Sequence, residues 1–262
     1  AKRINYSARR MAMPEIPEDL FIQAVNTIVY MEKAWIPPQP GSALYIRPFM
    51  YATDETIGVK ASDTYRFIIF VMPVGPYYSQ PVKLLAQDTY VRAVVGGVGD
   101  AKTAGNYAAS LLPATMARKE GYDQVMWLDA IHKKYIQEIG TMNIFFVIGD
   151  EVVTPNLDGA ILDGITRDSV ITLLKDWGVR VSERPITIDE VVEAFKAGKL
   201  VEAFGTGTAA VIAPVAKIKY KDTVMELDQN IDKISTKVYN TVNGIRNRTI
   251  EDKFGWIVPA RP

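Results

Sequence analysis

The sequence predicts an α+β protein in two parts. Three observations carry that prediction. Strand-like runs outnumber helical ones and do not alternate strictly with them, as a doubly wound parallel sheet would require. The cluster Pro73-Val74-Gly75-Pro76 interrupts the pattern and places an interdomain linker at residues 72–81. The chain has 262 residues, 48% apolar and 23% charged, the balance of a globular protein long enough for one large domain or two modest ones. The expected division is a partial small α/β domain over residues 1–71 and a large mixed-strand domain with flanking helices over 82–262.

Residues 1–13 read as the end of an amphipathic helix, with Ile4, Ala8 and Met11 on one face and Arg3, Arg9 and Arg10 charged. Residue 1 is not methionine and no cap precedes the helix, so the chain is expected to be cut from something longer. Pro14 and Pro17 end that helix. Residues 18–35 give a second, with Leu20, Ala24, Ile28 and Met31 in phase, closed by Pro37-Pro38-Gln39-Pro40-Gly41. Residues 42–51 and 65–72 read as strands. In the first, Tyr45 and Arg47 share a face, because side chains two apart point the same way. Beyond the linker, strands are expected at 82–86, 90–95, 124–129, 135–139, 142–148, 151–154, 179–184, 201–204 and 210–218. Helices are expected at 106–119, 164–177, 188–196 with Thr187 as N-cap, and 230–246. No internal repeat or low-complexity segment is present.

Composition removes several function classes. Lysine plus arginine equal aspartate plus glutamate at 30 each, which argues against a broad nucleic-acid or acidic-membrane surface. There is no cysteine, so disulfides, thiolate nucleophiles and cysteine-ligated metals are excluded. The single histidine, His132, sits beside Lys133 and Lys134 and reads as an exposed loop residue, which argues against a histidine-built metal site or a Ser-His-Asp triad. No metal is expected. No apolar run approaches membrane-spanning length and no signal segment is seen, so the expected setting is the cytoplasm and the expected partners are small molecules.

The stretch Gly96–Tyr107 concentrates the chemistry. Four glycines, Asp100, Lys102 and Tyr107 lie between a strand-like run and a helix-like one. Glycine lets backbone approach a ligand, and a helix start offers free N–H groups and partial positive charge. Lys102 therefore stands where a phosphate or a reactive amine could work. Residues 96–103 read GGVGDAKT against the G-x-x-x-x-G-K-[ST] nucleotide loop, but Ala101 replaces the second glycine. A strand ending in Asp129 would complete that alternative, and a solvated loop lysine is the plainest reading of Lys102. Asp163-Gly164-Ile165-Thr166-Arg167 and Gly205-Thr206-Gly207-Thr208-Ala209 each offer hydroxyls and N–H groups to a phosphate, or serve as ordinary turns. Glu138 ends an apolar strand, where a carboxylate either faces water or has a cationic partner.

A lysine, a carboxylate and phosphate turns together point to pyridoxal 5′-phosphate chemistry. At these motifs the chain resembles the branched-chain amino acid aminotransferases, pyridoxal-phosphate enzymes of fold type IV. Gly99-Asp100-Ala101-Lys102 with Gly105-Asn106-Tyr107 looks like the cofactor-lysine segment. Glu138 to Phe145, Val152-Val153-Thr154 and Leu162 to Arg167 follow the class signature in residue type and spacing. Phe204 to Ala209 resembles the later phosphate turn, and Leu44 to Pro48 and Pro73 to Tyr77 also match, so the resemblance spans essentially the whole chain.

The resemblance implies that Lys102 joins the cofactor aldehyde and moves the substrate's α-proton, and that Glu138 pairs with the pyridine nitrogen. Tyr107 would bond the ring's phenolic oxygen. Arg3, Ile165, Thr166, Gly207 and Thr208 would hold the phosphate. Tyr45, Arg47, Thr141 and Ala209 would line the substrate site, with Arg47 near the incoming carboxylate. The implied reaction is transfer of the amino group of leucine, isoleucine or valine to 2-oxoglutarate by a homodimer, with the cofactor between the domains. D-amino-acid aminotransferase and aminodeoxychorismate lyase are the nearest other activities, and a P-loop-like nucleotide-binding module or a non-catalytic dimerising remnant would be of different classes. Two departures stand out. Ala210 and Ala213 occupy the positions of the C-x-x-C pair found in animal members, so redox control through such a pair is excluded. The family's longer N-terminal segment is missing, which implies impaired turnover for this stretch alone.

Overall fold

The computed structural model describes residues 1–75, 80–209, 211–231 and 233–261. It forms two compact units, one of Ala1–Tyr77 with Asp252–Pro262 and one of Tyr78–Glu251. Residues 76–79 of the expected linker, and Ala210, lie outside the described residues.

In the first unit, helix α1 (Lys2–Arg10) is followed by helix α2 (Glu18–Met31) and a 3₁₀ turn at Lys33–Trp35. Buried Asn5 ties the proline-containing connection back to α1, accepting the Ile16 N–H at 2.9 Å and donating to its carbonyl at 2.7 Å. Glu18 and Asp19 occupy the first turn of α2, where negative charge suits the helix dipole. Strands β1 (Ala43–Ala52) and β2 (Tyr65–Val74) form an antiparallel ribbon that pairs Tyr45 with Met72 and Arg47 with Phe70. Phe21 stacks on Phe67 at 5.9 Å and seats α2 on this ribbon.

The second unit is built on a mixed sheet. Its strands are β3 (Val82–Gln87), β4 (Gln124–Leu128), β5 (Ile136–Ile139), β6 (Asn143–Ile148), β7 (Glu151–Thr154), β8 (Arg180–Glu183), β9 (Leu200–Gly207), β10 (Val211–Tyr220) and β11 (Thr223–Glu226). Among the described residues the order is β5-β4-β3-β10-β9-β6-β7-β8, with β11 on β10. The β3–β4, β3–β10 and β7–β8 pairs are parallel, and the remaining ones are antiparallel. Helices α3 (Ala104–Lys119), α4 (Ile165–Asp176), α5 (Ile188–Lys196) and α6 (Ile234–Arg246) flank it. The pleat of β4 sorts its side chains by parity. Met126 and Leu128 join the main core with Leu84, Ile139, Ile144 and Val191, while Val125 and Trp127 pack with Ala117 of α3. Phe145 and Phe204 lie opposite each other on β6 and β9 and stack at 5.1 Å, pinning that register.

This is the α+β architecture expected from the strand-rich pattern. One strand is corrected. Residues 90–95 alternate well enough for a strand but form none. The Gln87 side chain accepts the N–H groups of Thr89 and Tyr90 and turns the chain at the end of β3, and Arg92 then points inward. β9 runs through the glycine-threonine turn as far as Gly207, and the short β11 carries no clear sequence signal. The Thr187 cap is realised, its hydroxyl accepting the Glu190 N–H at 3.0 Å. Thr187→Ala should therefore cost about 1 kcal/mol in a denaturant titration, with Thr187→Ser close to wild type. An unchanged midpoint for the alanine variant would remove the cap from the account.

Candidate active site

Elements of the second unit converge on a cleft of about 320 Å³, measured with its open mouth and lined by Arg92, Lys102, Tyr107, Glu138, Thr141 and Leu162 among others. Lys102 leaves the loop just before α3, whose N-cap is Thr103. Asn106, in the first turn of α3, donates to the carbonyls of Val98 at 2.7 Å and Ala101 at 2.8 Å and so shapes the loop that presents the lysine. The Lys102 ammonium lies 5.8 Å from the centre of the Tyr107 ring. Gly99 sits hard against the segment after β7. A Cβ there would meet the Ala160 carbonyl oxygen and the Ala93 methyl at 2.4 Å, so only glycine permits this approach.

Glu138 comes from β5 and is 3% exposed, so the water-facing reading is wrong. Its Oε1 accepts the Leu162 N–H at 2.8 Å, and its Oε2 lies 3.4 Å from Nε of Arg92, itself buried. Burial pushes the Glu138 carboxyl above the ordinary glutamate range. The Arg92 guanidinium, the Leu162 N–H and the Lys102 charge pull it back in part.

The phosphate-type turns are tied to the same place. Asn143, at the start of β6, pairs with Thr206 across the sheet and donates from Nδ2 to the Leu162 carbonyl at 2.9 Å. Its Oδ1 would be 2.1 Å from a Cβ on Gly164, the residue that opens α4. The ends of β9 and α4 are thus held around Leu162, which lines the cleft. α4 begins without a side-chain cap, which leaves its first N–H groups to an anion. Thr206 Oγ1 is buried and makes no hydrogen bond.

The sequence-predicted residues fall into three groups. Lys102, Tyr107, Glu138 and Thr141 line the cleft. Ile165 and Thr166 open α4, Gly207 ends β9, and Thr208 and Ala209 follow in the turn. Arg3, on α1, and Tyr45 and Arg47, on β1, belong to the first unit. There Arg47 donates to the Tyr45 hydroxyl at 3.0 Å, as their shared face requires. Sequence reasoning missed Arg92, Asn106 and Asn143. It also offered Asp129 to a metal-holding strand. That carboxylate instead accepts the N–H groups of Ile131, His132, Lys134 and Tyr135. Burial would raise it, but those bonds hold it below the ordinary aspartate range. His132 is exposed, edge-on to Tyr135.

Residues 1–218 match the family model of the class IV amino-transferases. The chain belongs to that family. It is 50% identical over 259 residues to branched-chain-amino-acid aminotransferase 2 of Bacillus subtilis, which covers 97% of this chain and 71% of that protein. It superposes with a TM-score of 0.84 on the branched-chain aminotransferase of Thermoproteus uzoniensis solved with norvaline, at 28% identity over 99% of this chain and 82% of that one. A branched-chain amino acid aminotransferase solved with pyridoxamine 5′-phosphate matches with a TM-score of 0.82 at 25% identity, again over 99% and 82%. The P-loop reading is thereby set aside: the aminotransferase is a pyridoxal-phosphate enzyme of fold type IV. The cleft fits that cofactor. It offers an amine for the aldehyde and a desolvated carboxylate for the ring nitrogen, and the uncapped start of α4 follows two residues after Leu162 of its lining.

Because Glu138 takes up its proton more readily folded than unfolded, it withdraws stability as pH rises through the window between its unfolded and folded values. The penalty is absent below about pH 4, the unfolded glutamate range, and grows above it. In cofactor-free protein, Glu138→Gln should therefore flatten the loss of stability with rising pH, read from denaturant midpoints across a pH series. Parallel wild-type and variant curves would contradict the buried, only partly compensated state of this carboxyl.

Proposed function

We propose that the chain transfers the amino group of leucine, isoleucine or valine to 2-oxoglutarate, with pyridoxal 5′-phosphate held at Lys102. The observation that carries this reading is that Lys102 and the buried Glu138 line one cleft. The name of the Bacillus subtilis relative supports the substrate class.

Bound pyridoxal phosphate supplies an electron-withdrawing ring that acidifies the α-hydrogen of an amino acid. The residues of this chain then have separable roles. The Lys102 amine takes the proton from the substrate's α-carbon and returns it, as general base and acid. Glu138 holds a proton on the pyridine nitrogen, which a carboxylate does best when shielded from water. The Tyr107 hydroxyl donates to the phenolic oxygen. Backbone N–H groups and hydroxyls of Ile165, Thr166, Gly207 and Thr208 grip the phosphate, and Arg3 adds a positive charge. Tyr45, Arg47, Thr141 and Ala209 receive the substrate, Arg47 through its carboxylate. For Arg3, Tyr45 and Arg47 the roles rest on the resemblance to the family.

Apolar pockets separate substrates differing by one methylene by only about 1–3 kcal/mol, so all three branched-chain amino acids are expected to turn over. The same reading carries a homodimer working in the cytoplasm, states that sedimentation and cell fractionation report. The functional test is a panel of amino donors with 2-oxoglutarate as acceptor. Leucine, isoleucine and valine should be used within about a hundredfold of one another, and Lys102→Ala should lose activity with all of them. Turnover by Lys102→Ala at the wild-type rate, or a preference for D-amino acids, would overturn the assignment.

A further inference from the structure

Arg92 is a buried cation in the lining of this cleft. Its side chain is 7% exposed. Nη2 donates to the carbonyl of Gly99 at 3.1 Å and to that of Ala160. Nε faces Glu138 Oε2 at 3.4 Å, within ion-pair range, and makes no hydrogen bond. Glu138 Oε1 in turn takes the Leu162 N–H. A closed circuit results. It runs from the loop three residues before Lys102, through the guanidinium, to the Glu138 carboxylate, to Leu162, and back along two residues to Ala160.

We propose that Arg92 is a positioning residue for cofactor binding, one that neutralises and orients the Glu138 carboxylate while locking the Lys102 loop to the Ala160–Leu162 segment. The proposal rests on the reading of Lys102 and Glu138 as the cofactor's two anchors. A planar guanidinium can serve two carbonyls and a carboxylate together, whereas an ammonium is a point donor on a flexible stem. The groups bearing on Glu138 are Arg92, the Leu162 N–H, Lys102 and Asp158. Of those that favour its charged form, Arg92 has the largest effect. Without Arg92, the burial that raises Glu138 would lose its largest counterweight, and a carboxyl that holds its own proton more readily is a weaker partner for a protonated ring nitrogen. The same substitution would release the Gly99 and Ala160 carbonyls and loosen the spacing between lysine and carboxylate.

The test uses the purified chain stripped of cofactor and titrated with pyridoxal 5′-phosphate, for wild type, Arg92→Lys, Arg92→Met, Glu138→Gln and the Arg92→Met/Glu138→Gln double variant. Two quantities are read: the dissociation constant, and the pH titration of the visible band of bound cofactor. Arg92→Met should weaken binding by roughly tenfold or more, the scale of a lost charged hydrogen-bond network, and should shift the pH titration. In the Glu138→Gln background the same change should weaken binding by a clearly smaller factor, because the carboxylate is gone and only the Gly99 and Ala160 carbonyls remain to be released. Arg92→Lys should keep the wild-type pH titration, through its charge, yet bind less tightly, through its lost fork.

Equal losses in both backgrounds would make Arg92 a merely structural residue and overturn the proposal, as would wild-type affinity in Arg92→Met. If Arg92→Met does not fold, Arg92→Lys decides alone: wild-type affinity there, or a shifted titration, overturns it. Failure of wild type to bind pyridoxal phosphate at all would sink the functional reading and this inference together, a result distinct from wild-type binding that ignores position 92.

Discussion

The structure depends on a carboxylate placed where water cannot reach it. Glu138 sits in β5, an edge strand whose residues are all buried, and its surroundings are arranged to answer the cost of that burial. One oxygen takes a backbone N–H, the other faces a buried guanidinium, and the open side belongs to the cleft that Lys102 also lines. The remaining pull above the ordinary glutamate range is what a positively charged ring nitrogen would relieve.

The sheet makes this placement possible. β4 runs parallel to β3 and antiparallel to β5, so the chain returns along the sheet edge to deliver Glu138. Trp127, on the face of β4 that meets α3, donates to the Gly140 carbonyl at 2.9 Å and fixes the turn that follows Glu138. The β6–β9 pair then aligns Asn143 with Thr206, bringing the two phosphate-type turns to the same end of the sheet. Core packing and site geometry are therefore one construction. A register slip between β6 and β9 would unpair Asn143 from Thr206 and break the Phe145–Phe204 stack.

Much of this is legible in the sequence. Lys102 stood out because a glycine-rich turn before a helix has a chemical use, and Glu138 because an acid in an apolar strand needs a reason. Thr187 announced a helix start through its hydroxyl alone. What stayed hidden has a common cause: it depends on contacts between residues distant in sequence. Arg92 looked like one polar residue in a strand-like run, and only the approach of Ala160, 68 positions later, makes it a buried hub. Gly99 read as ordinary loop glycine until that same carbonyl was found beside it. Asn143 sat within a recognisable motif, but its amide does its work 19 residues away, on Leu162.

The central claim is that an amine and a shielded carboxylate hold one pyridoxal phosphate between them and pass an amino group through it. The most direct measurement is the absorbance spectrum of the cofactor-loaded protein before and after leucine is added without any 2-oxo acid. Loss of the visible band, with one equivalent of the matching 2-oxo acid released and the band restored by 2-oxoglutarate, is the predicted result. A band that leucine leaves untouched, in protein that demonstrably carries the cofactor, would contradict it.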